Sequence, residues 1–315
     1  MIRIRPFLAG MASWFPGLAA RSWFRTGGSV SARYCYSVWL RHLVNLRDHG
    51  IPFRLDSVAE LGPGDSLGTG LAALLSGARR LDALEVVPHD TNQRNLEILD
   101  ELVELFSARA EIPGEAEFPR VRPRLSSYAF PSDLFSDAYL NETLAPARVE
   151  TIRRAILGED RPGDPVKFRY RVPWNNADVV EPESVDLIFS QAVLEHVDDL
   201  TGTYGAMFQW LKPGGVMSHE VDFTSHGITT TWNGHWALPG PVWWLIRGCR
   251  PFLINRRPLS YHIALTNETG FRLAVRTTYP GDEGTPRIFL APGFRSMSDE
   301  DLTIRGATLV SVRPS

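Results

Sequence analysis

The chain has 315 residues, 43% hydrophobic and 22% charged, which suits one large α/β core with additions and excludes a disordered chain. Its net charge is -3, so no global basic field invites nucleic acid, and its cations are arginines except for Lys167 and Lys212. Two cysteines, Cys35 and Cys249, offer neither a metal-ligand spacing nor a disulfide framework, as expected in a reducing cytoplasm. No apolar run reaches the length of a membrane span, and Pro6, Gly10, Pro16 and Gly17 interrupt the stretch that would have to be a signal peptide. A membrane surface is not an expected partner, although Pro241–Ile246 has the composition of an interfacial patch.

Residues 1–55 are rich in aromatics, and from Ser29 the apolar positions recur at helical spacing. They read as a helical segment before the core, serving as a lid with Arg33 and Tyr34 turned to a ligand, or simply as a packing helix. Gly27, Gly28 and Ser29 supply a hinge and a cap. Ser57–Glu60 reads as the first strand, and Gly62-Pro63-Gly64-Asp65-Ser66 as a turn into a helix over Gly68–Gly77. Glycines in such a turn permit positive φ and close approach of a ligand, which the helix N-terminus then faces. Glu85, closing the second strand roughly 20 residues on, has the spacing for a ribose hydroxyl. Because Glu60 precedes the turn and Ser66 replaces a third glycine, the turn suits a cationic or zwitterionic ligand better than a pyrophosphate.

An amphipathic helix over Asn92–Phe106 follows, then an insertion from residue 107 to 165 with a helix at Arg148–Leu157. Val166–Val172 reads as strand three and Val185–Ser190 as strand four. Gln191–Val197 reads as the start of a helix, Tyr204–Leu211 as another, and Val216–Phe223 as strand five. Arg272–Tyr279 and Ala307–Val312 complete seven strands.

Glu60–Gly64 with Glu85, Ser184–Ser190, Val193-Leu194-Glu195-His196-Val197 and Leu211–Gly215 resemble the ordered motifs of class I S-adenosylmethionine-dependent methyltransferases. The chain is also similar to bacterial methyltransferases of unassigned substrate found among glycan-biosynthesis functions. The resemblance implies an α/β fold: a Rossmann-like, seven-stranded, mostly parallel sheet with a C-terminal antiparallel hairpin, a helical N-terminal lid and an insertion. It divides the chain into a lid (1–55) and a methyltransferase domain (56–315) that carries the insertion and a Trp-rich cap (227–262). It implies S-adenosyl-L-methionine as cofactor, with Glu60, Gly62, Gly64 and Ser66 at its methionine end, Glu85 at the ribose, Trp174 and Asn175 at the adenine, and Ser190 beside them. The family commonly offers the adenine an acid after strand three, and here an indole and an amide stand instead. Glu195-His196 resembles a pair that often links helix to loop structurally.

At the end of strand five stand His219, Asp222 and His226. Ligands of open α/β sheets lie beyond the carboxyl ends of the strands, so this is the acceptor side. A hydroxyl acceptor needs its proton removed, a task suited to His226 oriented by Asp222, with His219 nearby. These residues could also ligate a metal, but in a regular strand His219 faces away from Asp222, and no metal is expected. Asn255, Arg256 and Arg257, among tryptophans, suit a sugar or an anionic group. The reading is O-methylation of a small-molecule or carbohydrate-like acceptor. The alternatives are a non-catalytic binding scaffold of the same fold and an NAD-dependent oxidoreductase.

Overall fold

Neighbouring residues along the central strands part to opposite faces of one sheet, as the two-residue period of a strand requires. Val58, Leu187, Val216 and Val310 join one hydrophobic cluster while Ala59, Ile188, Met217 and Leu309 join the other. The structure, a computed structural model, describes residues 3–15, 29, 31–88, 92–174, 176–250 and 252–315. The strands are β1 (Ser57–Leu61), β2 (Arg80–Leu84), β3 (Lys167–Arg171), β4 (Val185–Gln191), β5 (Leu211–Asp222), β6 (Arg272–Pro280) and β7 (Ile304–Val312). They lie in the order β3-β2-β1-β4-β5-β7-β6. The first five pair in parallel, and β7 runs antiparallel to both β5 and β6.

The helices are α1 (Ile4–Ala12), α2 (Ala32–Asp48), α3 (Gly68–Leu75), α4 (Asn92–Ser107), α5 (Asp137–Thr143), α6 (Pro146–Leu157), α7 (Leu200–Trp210), α8 (Gly240–Arg247), α9 (Leu259–Glu268) and α10 (Asp299–Thr303). Side chains of α2, α3, α4 and α6 fill one face of the sheet, and α7 and α9 cover the other.

Within residues 1–55, α2 is a core helix. Ser31 caps it by accepting from the Tyr34 amide at 3.2 Å, and Trp39, Leu40, Leu43 and Leu46 are fully enclosed. Arg33 does not turn to a ligand but forks onto Glu117 of the insertion, and the Tyr34 ring meets Phe118 edge-on at 5.5 Å. The insertion is bound to the same helix by Arg41, whose guanidinium donates to the carbonyls of Pro113, Val121 and Pro123 at 2.9–3.0 Å.

The helix expected over Gln191–Val197 is absent. A single tight turn, Leu194–His196, stands there, and α7 begins only at Leu200, where Asp199 accepts from the Gly202 amide. The reason lies 58 to 61 residues away: the Asn255 side-chain amide donates to the carbonyls of Leu194 and Val197, which a helix would have used internally.

Candidate active site

The strand order reverses between β1 and β4, and at that switch point an open α/β sheet has its crevice. The turn after β1 lies there. Gly62 and Gly64 both take positive φ, +62° and +76°, and a Cβ on Gly62 would come within 2.7 Å of the Val193 side chain. Glu85 leaves the end of β2 toward the same turn, its Oε2 accepting from the Gly64 amide at 3.1 Å. Glu60 ends β1 almost wholly buried, with its Oε2 lacking a hydrogen-bond partner. Burial drives its pKa well above the ordinary carboxylate value; the nearby Gly70 amide and Thr69 hydroxyl oppose that, and the Glu85 charge adds to it. A cationic group beside this pair of acids would relieve both, so the donor set fits the ammonium and ribose of an aminoacyl nucleoside.

Two expected cofactor contacts, Ser66 and Ser190, have other partners. Ser66 is enclosed by Ser29: its amide donates to Ser29 Oγ at 2.9 Å and its hydroxyl to the Ser29 carbonyl, so nothing of it remains for a ligand. Ser29 in turn donates to the Pro63 carbonyl at 2.7 Å, which pins the segment before α2 to the glycine turn. Ser190 and His219 are register partners on β4 and β5 and bond to each other at 2.7 Å, both enclosed in the sheet. Burial lowers the His219 pKa to about 3, so it stays neutral and takes no part beside His226. Trp174 follows β3 with its amide bonded to the Glu85 carbonyl, which places it next to the ribose acid. Its ring also meets Trp210 edge-on at 5.6 Å. Asn175 lies outside the described residues.

On the acceptor side, His226 stands in the left-handed region at φ +47°, and this turn brings its Nε2 to 3.4 Å from Asp222 Oδ2 and 3.8 Å from Glu195 Oε1. His196 packs its ring edge-on against His226 at 4.9 Å and donates Nδ1–H to the Phe252 carbonyl. Burial and the neighbouring His226 lower the His196 pKa to about 4. Glu195 is enclosed and neither of its oxygens has a hydrogen-bond partner; burial, then Glu220 and Asp222, push its pKa well up. Glu220 rises to about 8 by burial and the Asp222 charge, with Arg122 of the insertion opposing. Asp222 behaves oppositely: burial works against its charge, but His226 and the Thr224 amide, at 2.7 Å, hold its pKa below the usual value. Hydrogen bonding thus favours the charged form of Asp222 beside His226, while burial disfavours the charged forms of Glu195 and Glu220.

A cavity of about 10 Å³, the size of one water, is lined by Glu195, Asp222, His235, Asn255, Arg256 and Arg257 among others. Asp222 and the Asn255–Arg257 group thus meet, but two of that group are structural. Asn255 is spent on the Leu194–His196 turn. Arg256 is buried between the rings of Trp243 and Phe294, at 4.7 and 4.4 Å, and donates to the Leu238 carbonyl. Arg257 lies over the Tyr261 ring and is exposed. Trp236 is fully enclosed, its indole bonded to the Arg256 carbonyl, so this indole is packing rather than a platform, whereas Trp244 is exposed. Glu220 is the site residue that the sequence pattern does not single out, and Glu195-His196 reads there as a structural link rather than as part of this site.

A methyltransferase domain model matches residues 163–218, which span the chain from just before β3 into β5. The match covers a methyltransferase domain in the middle of the chain, and the strand order above is that of a Rossmann-like methyltransferase fold. Similar solved structures include a Methanosarcina mazei S-adenosylmethionine-dependent methyltransferase, 11% identical over 85% of this chain and 97% of that one, TM-score 0.43. A Mesorhizobium loti S-adenosylmethionine-dependent methyltransferase is 14% identical over 85% and 96%, TM-score 0.39. Haemonchus contortus phosphoethanolamine N-methyltransferase 2, in complex with S-adenosyl-L-methionine, is 14% identical over 94% of this chain and 60% of that one, TM-score 0.43. No curated protein matches the sequence.

Proposed function

We propose that this methyltransferase transfers the methyl group to a hydroxyl of a small, carbohydrate-like acceptor, with His226 as general base and Asp222 as its orienting partner. The observation that carries the proposal is the His226–Asp222 contact at 3.4 Å, at the carboxyl end of β5. Asp222 holds Nε2–H and leaves Nδ1 as the nitrogen that takes the acceptor proton. S-adenosyl-L-methionine, when bound, would supply the methyl group on its sulfonium: the S–CH3 bond would break as the O–CH3 bond forms, S-adenosylhomocysteine would leave, and the hydroxyl proton would pass to His226. The protein's part is alignment: Gly62 and Gly64 let the backbone close on the cofactor, Glu60 and Glu85 take its ammonium and ribose, and Trp174 flanks the adenine. Burial disfavours the charge of Glu195 and Glu220, and as uncharged acids they can both donate to and accept from hydroxyls, which supports a polyhydroxylated acceptor better than an apolar one.

One observation favours a second reading. Glu195, His196 and His226 each offer a ligand atom within 4.8 Å of the others, close enough for one divalent cation to touch all three. The two readings separate in a methyl-transfer assay on a panel of sugars and phenols, run before and after chelation. Methylated hydroxyl product with a rate unchanged by chelator supports the histidine base. A rate abolished by chelator and restored by manganese or zinc supports the cation. Product formed solely on amines rejects the hydroxyl acceptor.

A further inference from the structure

We infer that α1 and α8 together form a docking face for an anionic lipid surface. The two helices pack closely: Gly10 lies against the backbone of α8, where a Cβ would come within 2.2 Å of the Leu245 and Ile246 carbonyls. Trp14 and Trp244 stack at 4.7 Å, and Arg250 donates to the Pro6 carbonyl at 3.2 Å. The pair turns large apolar side chains outward, with Ile4 74%, Leu8 56%, Phe15 61% and Trp244 56% exposed. Contiguous apolar surface of this kind needs an occupant.

Charge names the occupant. The chain carries a net charge of -3, yet α1 and the residue before it hold Arg3 and Arg5 and no acid, and residues 223–267 contain no acid either. Arg3 and Arg5 are exposed at the start of α1, Arg247 at the end of α8 pairs with Asp198, and Arg250 beyond it turns onto the carbonyls of Pro6 and Ile246. Apolar and aromatic residues flanked by arginines, on helices too short to span, match the boundary between headgroups and acyl chains of an anionic leaflet. Among the described residues no helix is long and apolar enough to cross a membrane, so the face lies on the surface. The Arg3 amide donates to the Ile228 carbonyl at 3.0 Å, two residues beyond His226. Docking would therefore set the acceptor side of the site against the headgroup layer.

The test is flotation of the full chain with vesicles of phosphatidylcholine alone and with phosphatidylglycerol added. The expected result is binding that needs the anionic lipid, falls with salt, and drops by about tenfold or more in both Arg3→Glu/Arg5→Glu and Leu8→Ser/Phe15→Ser. Circular dichroism melts and S-adenosylhomocysteine binding, unchanged in both variants, show that they remain folded. Wild type that ignores anionic vesicles, or variants that bind them equally, overturns the inference. So does a dimer seen by light scattering that Leu8→Ser/Phe15→Ser dissolves while no vesicle binds, because the face would then be a contact between copies.

Discussion

Replacing His226 by alanine is expected to lower kcat by about 10²–10⁴-fold, the contribution of a positioned general base, while S-adenosylhomocysteine affinity stays unchanged. The separation follows from geometry: His226 belongs to the turn after β5, where its contacts are Asp222, Glu195 and His196, whereas Gly62, Gly64 and Glu85, the residues proposed to hold the cofactor, gather at the ends of β1 and β2. Because His226 has φ +47°, alanine strains the backbone as well as removing the imidazole. His226→Asn, which tolerates that conformation, is the matched variant and should show the same loss without unfolding. Full activity in His226→Asn would remove the histidine from the mechanism.

Arg41→Leu should destabilise the fold by about 3–5 kcal/mol, seen as a lower urea midpoint at unchanged slope. The guanidinium is fully enclosed and donates to Ser37 Oγ at 3.0 Å in addition to three carbonyls of the insertion, with Glu115 at 3.3 Å and the Tyr128 ring at 5.0 Å. An apolar replacement leaves the carbonyls of Pro113, Val121 and Pro123 without donors at once. Arg41→Lys should recover only part of the loss, since one ammonium cannot reproduce the planar fork that reaches Pro113 on one nitrogen and Val121 and Pro123 on another. A midpoint shift below about 1 kcal/mol would mean that the insertion reorganises around the gap, and that the carbonyls find water.

The sheet was readable in the sequence because its strands carry their own signal. Val185–Ser190 is apolar without interruption, as a strand buried on both faces must be, and the Gly62–Gly64 turn states its conformational need in its residue types. Asp222 and His226 were readable because the strand end fixes where they lie. What failed is what depends on partners far along the chain. Ser66 is filled by Ser29 and Ser190 by His219, so side chains typed as ligand contacts are internal bonds instead. Asn255 and Arg256 look like a binding group in sequence, yet one holds the Leu194–His196 turn and the other is sealed between Trp243 and Phe294. Glu195 was taken for a helix link, but the same turn that ended the expected helix aims its carboxylate at His226. Composition located the Trp-rich segment correctly and could not tell a packed indole from an open one.

The most direct test of the cofactor site is calorimetric titration of the purified protein with S-adenosylhomocysteine, repeated on Glu85→Ala and with NADH in place of the ligand. Micromolar binding weakened in Glu85→Ala by about 1–3 kcal/mol, with NADH silent, is the expected result. No binding of S-adenosylhomocysteine to the wild type, or tighter binding of NADH, would contradict it.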